Sequence, residues 1–170
     1  NENRFCANCD QISFTGKDYP YIKNNYKQIF SPQTAYQITS LLEGAVERGT
    51  GKKLKKLKLN LAGKTGTTNE NNDAWFIGFT SNLVVGVYLG YDEPKTLGKF
   101  ETGAKTAMPI FKSFITKAIK KENTRPFKVP ENITMMIVDS TSGEKVNFDS
   151  KRTLIESFKT DELSDYDNIN

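Results

Sequence analysis

Three apolar runs follow one another almost without a break: Leu59 to Thr68, AWFIGFT at 74–80 and LVVGVYLGY at 83–91. Strands this close in sequence pair antiparallel, because a parallel neighbour needs a crossover of a dozen or more residues. An antiparallel meander with a tight turn at Ser81 and Asn82 is therefore the expected centre of the fold. The last run is almost uniformly apolar, which predicts that both faces of its strand are covered.

Helical patterns lie on either side. In SPQTAYQITSLLEGAVERGTG (31–51), Ser31 can cap the N-terminus and Pro32 suits the first helical position. Ala35, Ile38, Leu41, Leu42, Ala45 and Val46 recur at helical spacing, and Gly49 offers a stop. A second amphipathic pattern spans 106–121, with Ile110, Phe111, Phe114, Ile115, Ala118 and Ile119 as its stripe. Pro109 is tolerated there because it sits in the first turn, and Lys117, Lys120 and Lys121 suit the negative end of the helix dipole. The lysine run KKLKKLKL (52–59) reads as a solvated loop or exposed strand rather than a basic binding patch.

Outside this centre the signals thin out. Residues 1–30 read as an irregular lead-in and 31–122 as the helix-and-sheet unit. Residues 123–156 form an extension in which ITMMIV (133–138) and EKVNF (144–148) make a hairpin around Ser142 and Gly143. From about 157 the chain turns acidic and poor in apolar residues, which predicts a disordered tail to 170. The fold class is α/β in the broad sense, more strictly α+β: an antiparallel sheet flanked by helices.

Composition narrows the chemistry. The 170 residues suffice for one domain with its own core. With 36% hydrophobic and 26% charged residues and a net charge of +4, nothing points to nucleic acid. The chain has no histidine, which removes histidine-based triads and the commonest zinc ligand. Cys6 and Cys9 stand as C-x-x-C, but a zinc site would need two further ligands, and the helix that follows a strand in redox pairs is not apparent. A local disulfide or two free thiols remain. The longest apolar stretch, 83–91, is far too short to span a bilayer. No signal peptide opens the chain; its first residue is Asn1, as in a piece of a longer protein, so location stays open.

The segment LAGKTGTTNENNDAWFIGF (61–79) carries the chemistry. A phosphate loop would need glycine at position 58, where Lys58 stands, and a helix after the lysine. The alternative is the lysine-threonine-glycine signature of serine acyl-transfer enzymes that react with penicillin. On a strand lining a cleft, the Lys64 ammonium holds a hydrogen-bond network and a positive potential beside a nucleophile. The hydroxyls of Thr65, Thr67 and Thr68 can bind a terminal carboxylate, and the Thr67 N–H can serve as half of an oxyanion hole. Gly66 leaves that strand open to close approach by substrate.

Context decides the matter. SPQTAYQITSLLEGAVERGTG, LAGKTGTTNENNDAWFIGFT, LVVGVYLGYDEP and ETGAKTAMPIFKSFI together resemble the C-terminal half of the transpeptidase domain of class A penicillin-binding proteins, of the 1A type. These are bifunctional peptidoglycan synthases. The resemblance covers roughly 31–120, and the lead-in and the 133–146 stretch also look like flanking segments of the family. It implies the penicillin-binding, β-lactamase-like fold, incomplete in this chain. It implies D-alanyl-D-alanine cross-linking of stem peptides, with β-lactams as inhibitors of the parent, and no cofactor or metal. The implied roles are Lys64 as the catalytic motif lysine and Thr65, Gly66, Thr67 and Thr68 as the substrate strand. Trp75 and Phe76 are expected to pack beneath it. The implied parent is membrane-anchored at the periplasmic side of the inner membrane.

One departure matters. The family's nucleophile lies in S-x-x-K and a second motif, S-x-N, follows it, both ahead of the lysine-threonine-glycine strand. Before Lys64, Ser13, Ser31 and Ser40 are followed three residues later by Gly16, Thr34 and Glu43, and two residues later by Thr15, Gln33 and Leu42. The single S-x-x-K, Ser142 to Lys145, comes afterwards and contains a turn glycine. The sequence therefore predicts one wall of an active site without its serine, inert alone, completed by the other half of the domain. A non-catalytic module that holds wall peptide on the same fold is the alternative.

Overall fold

The computed structural model describes residues 4–7, 21–24, 27–119, 124–147 and 151–163. Backbone contacts divide the chain at Ser31 and Pro32. The first unit contains β1 (Arg4–Ala7) and β2 (Tyr21–Asn24), which pair antiparallel with Cys6 opposite Ile22. The lead-in is thus more regular than its composition predicts. The Cys6 side chain and Cys9 lie outside the described residues.

The second unit begins with α1 (Pro32–Glu47) and continues through the meander β3 (Ala62–Thr67), β4 (Ala74–Phe79) and β5 (Val84–Leu89). The sheet order is β3-β4-β5, antiparallel throughout. Thr80 closes the turn between β4 and β5. Its hydroxyl donates to Asn82 Oδ1 at 2.9 Å and accepts the Leu83 N–H at 3.2 Å, and it is buried. The pleat then sorts the side chains: Gly63, Thr65 and Thr67 share a face with Phe76 and Val87, while Lys64 and Gly66 share the other with Trp75, Ile77 and Tyr88.

The first face holds the core. Phe76 packs on Phe111 of α2 (Ala107–Ala118) with ring centres 4.7 Å apart, joined by Val46, Leu54, Leu61, Met108 and Ile115. The paired glycines Gly63 and Gly78 make room: a Cβ on Gly78 would come within 2.6 Å of the Phe111 ring and 2.7 Å of the Phe76 ring. The second face is exposed. Val84 and Tyr88 are open to solvent, so β5 is covered on one face only and its uniform apolarity overstated its burial. Both helices repeat the pattern. Ile38 and Leu41 of α1, and Ile110 and Phe114 of α2, belong to the apolar stripes yet are about half exposed.

The lysine run is neither loop nor strand. Residues Lys52–Leu57 form a 3-10 helix that drives Leu54 into the core and leaves the lysines in water.

The extension also differs from expectation. β6 (Ile133–Asp139) pairs along its whole length with β7 (Thr153–Lys159), Ile133 opposite Lys159 and Asp139 opposite Thr153. The turn at Ser142 and Gly143 is nonetheless a short hairpin: Lys145 bridges Val138, the Asp139 N–H donates to the Glu144 carbonyl at 2.8 Å and the Val146 N–H to the Ile137 carbonyl at 3.0 Å, while Phe148 lies outside the described residues. Residues 157–159, assigned by composition to a disordered tail, are the end of a strand, and Thr160–Glu162 form a turn of 3-10 helix. What holds them is α1 and the residue just after it. The Gln37 amide donates to the Ser157 carbonyl at 3.2 Å, and Arg48 pairs with Glu156 at 2.7 Å. Among the described residues no helix is long and apolar enough to cross a membrane.

Candidate functional site

β3 is an edge of its sheet, so one side of its backbone has no strand partner among the described residues. Its motif residues fall on both faces and crowd toward this edge. Lys64 is exposed, and its ammonium donates to the Thr65 carbonyl at 2.9 Å and to the Thr65 hydroxyl at 3.3 Å. That hydroxyl lies 3.1 Å from the hydroxyl of Thr50, in the bend after α1. The Thr67 hydroxyl accepts the backbone N–H of Gly103 at 3.1 Å.

Gly103 is buried against the strand, and a Cβ there would collide with the carbonyl oxygens of Gly66 and Trp75. The segment Glu101–Thr106 therefore lies directly on β3 and β4 because residue 103 has no side chain. Gly66 is crowded on its own side, where an added Cβ would meet Trp75 Cβ at 3.2 Å.

Thr68 is tied into the turn that follows the strand. Its hydroxyl accepts the Asp73 N–H at 2.8 Å and donates to the Asp73 carboxylate at 3.3 Å, so both functions of the group are engaged in the turn. The other Asp73 oxygen accepts the Tyr88 hydroxyl at 2.9 Å. That hydrogen bond, with desolvation and the Asp73 and Asp92 charges adding to it, raises the phenol above its ordinary 10.0. Tyr88 in turn packs on Trp75, ring centres 4.6 Å apart. The turn that follows Thr67 is thus tied to β5, two strands away. Trp75 sits on the exposed Lys64 face, whereas Phe76 is the core residue that both aromatics were expected to be.

Sequence reasoning missed Thr50, Asp73, Tyr88 and Gly103. Thr50 between two glycines and Gly103 in a threonine- and glycine-rich stretch were visible, but their contacts depend on tertiary geometry. The S-x-x-K at Ser142 is a turn: the Ser142 hydroxyl donates to Glu144 at 3.3 Å, Gly143 has φ +77°, and Lys145 bridges to Val138. No cluster of three or more metal-ligating side chains occurs among the described residues.

The family described as the penicillin binding protein transpeptidase domain matches residues 11–116. The chain belongs to that family. Penicillin-binding protein 1A of Rickettsia felis is 41% identical over 170 residues, covering 98% of this chain and 21% of that protein. Penicillin-binding protein 1A of Pseudomonas aeruginosa is 36% identical over 137 residues, covering 80% of this chain and 17% of that protein. The crystal structure of penicillin-binding protein 1A from Haemophilus influenzae superposes with a TM-score of 0.66 at 31% identity, over 75% of this chain and 20% of that one. The mixed helix and antiparallel sheet is therefore part of the penicillin-binding transpeptidase fold, as the motifs predicted. The chain spans about a fifth of the length of the curated relatives it matches.

Proposed function

We propose that this chain is the substrate-binding wall of a peptidoglycan D,D-transpeptidase, a penicillin-binding protein 1A. In that reaction a serine attacks the carbonyl of the penultimate D-alanine of a stem peptide. The terminal D-alanine leaves with a proton. An amine from a neighbouring strand then attacks the acyl-enzyme, forming the cross-link and returning the serine.

The observation that carries the reading is the state of the two motif hydroxyls. Lys64 donates to Thr65 and the Gly103 N–H donates to Thr67, so protein groups already occupy acceptor positions on both oxygens. Each hydroxyl has one proton to give. Such a pair, beside an ammonium on an open strand edge, suits the terminal carboxylate of D-alanyl-D-alanine or of a penicillin. The Thr67 N–H is the oxyanion donor in this scheme, and Gly66 admits the substrate backbone. Lys64 supplies positive potential beside the serine.

The serine comes from the other half of the domain, since neither S-x-x-K nor S-x-N precedes Lys64. The chain alone is inert in this reading, and its parent is anchored at the periplasmic side of the inner membrane. The test is capture from source cells with an antibody to this chain after labelling with fluorescent penicillin. A labelled band much larger than the chain supports the reading. A chain-sized unlabelled band that binds stem peptide favours the non-catalytic module instead. A labelled chain-sized band would overturn the assignment and turn attention to Ser142.

A further inference from the structure

Thr50 is not part of the lysine-threonine-glycine strand, yet its hydroxyl reaches that strand's first threonine. It stands in the bend between α1 and the 3-10 helix, flanked by Gly49 and Gly51. The bend is fastened along its length. The Arg48 N–H donates to the Gly44 carbonyl and the Gly51 N–H to the Ala45 carbonyl, both at 2.9 Å. The Leu54 N–H donates to the Gly51 carbonyl at 2.8 Å, and Leu54 itself is buried. A Cβ on Gly49 would meet the Ala45 oxygen at 2.9 Å, and one on Gly51 would meet the same oxygen at 3.1 Å. Neither neighbour of Thr50 can carry a side chain without moving the bend. The result is one hydroxyl held 3.1 Å from Thr65 Oγ1.

A threonine oxygen has two acceptor lone pairs and one proton. On Thr65 the Lys64 ammonium already occupies one lone pair. The direction of the Thr50–Thr65 contact decides what remains. If Thr65 donates to Thr50, its proton is used within the protein and it has nothing to offer a carboxylate. If Thr50 donates, both lone pairs of Thr65 are occupied and its proton must point elsewhere. A bound carboxylate, itself acceptor-only, selects the second arrangement.

We infer that Thr50 is a positioning residue that turns the Thr65 hydroxyl outward as a donor to the carboxylate of the bound ligand. The inference deepens the transpeptidase reading and rests on it. Thr50 touches neither the ligand nor the reacting atoms.

The test uses the full-length protein that carries this chain, with a fluorescent penicillin and its methyl ester as probes. The second-order acylation rate is measured for each. Thr50→Val, which keeps the shape but removes the hydroxyl, should lower the rate with the free acid roughly tenfold, the scale of one hydrogen bond to a charged group. It should leave the ester rate nearly unchanged, so the acid-to-ester ratio falls. Thr50→Ser should restore the ratio, and unchanged thermal unfolding of each variant shows that the fold is intact. Equal losses with acid and ester, or a ratio that Thr50→Val leaves alone, overturn the inference while the transpeptidase reading stands. If the unsubstituted protein is acylated by neither probe, the reading itself fails and the role of Thr50 fails with it.

Discussion

The hydroxyl of Thr67 accepts a hydrogen bond from the backbone N–H of Gly103, 36 residues further along the chain. A motif that reads as five consecutive residues is therefore held in part by a distant loop. Gly103→Ala should push that loop off the strand. Overpacking of this kind costs about 1–3 kcal/mol, to be read as a lower midpoint in denaturant unfolding of the chain. Slower acylation of the full-length protein by penicillin should accompany it. Unchanged stability and rate would mean that the close approach is dispensable.

The core prediction sets two phenylalanines of one helix against each other. Phe111 is fully buried against Phe76, whereas Phe114 is about half exposed. Phe111→Ala should destabilise the chain by about 3–5 kcal/mol. Phe114→Ala should stay within about 1 kcal/mol, because most of its surface is already in water. Chemical denaturation of the two variants measures the contrast.

Two carboxyl groups give opposite dependences on pH. Asp139 accepts the N–H groups of Ser142 and Thr141, which lowers its pKa from 3.8. A depressed carboxyl stabilises the folded state above its unfolded value, and that contribution disappears as pH falls below 3.8 through the folded value. Asp139→Asn should flatten the acid limb of the unfolding curve. Amide resonances of Thr141 and Ser142 should titrate with Asp139 in the same window.

Glu43 behaves in the reverse sense. Burial, then repulsion from Glu47, raises its pKa above 4.5. The folded state binds its proton more tightly than the unfolded state, so folding is favoured below 4.5 and loses that advantage as pH rises through the folded value. Glu43→Gln should raise the thermal midpoint at neutral pH and make little difference below 4.5. Thermal unfolding at the two pH values distinguishes this from a general gain in helix propensity.

Removing β7 tests the corrected pairing of the extension. Truncation after Arg152 should release the β6 amides that face β7, while the Asp139 N–H, which donates to the Glu144 carbonyl at 2.8 Å, keeps its protection. Unchanged protection of the β7-facing amides would mean that β7 is dispensable to β6.

Legibility followed the range of the interactions. The meander was readable because its turns are short, and the Thr80 hydroxyl needs only Asn82 and Leu83 to close one of them. The strand that carries Lys64 through Thr67 was readable from its place in the meander. The ties of the Thr68 hydroxyl to Asp73, and of Asp73 to Tyr88, were not readable because they depend on how the turn and β5 come together. The short hairpin around Ser142 and Gly143 was readable from its turn residues, but the longer partner of β6 was missed because TLIESFK borders an acidic stretch. Ile38, Leu41, Ile110 and Phe114 mark the opposite difficulty. Periodicity identifies an apolar face but not whether anything in the chain covers it.

The placement of α1 has a consequence for how the chain comes off a ribosome. Its partner β3 follows within fifteen residues of its end, whereas Gln37 and Ser157 are separated by 120 positions and Arg48 and Glu156 by 108. At roughly 5–20 residues per second, the second set of partners emerges some 5–20 seconds after α1. For that interval the helix can dock on the meander while its β7-facing side waits, its polar side chains meeting the cell's solvent and chaperones before they meet their strand.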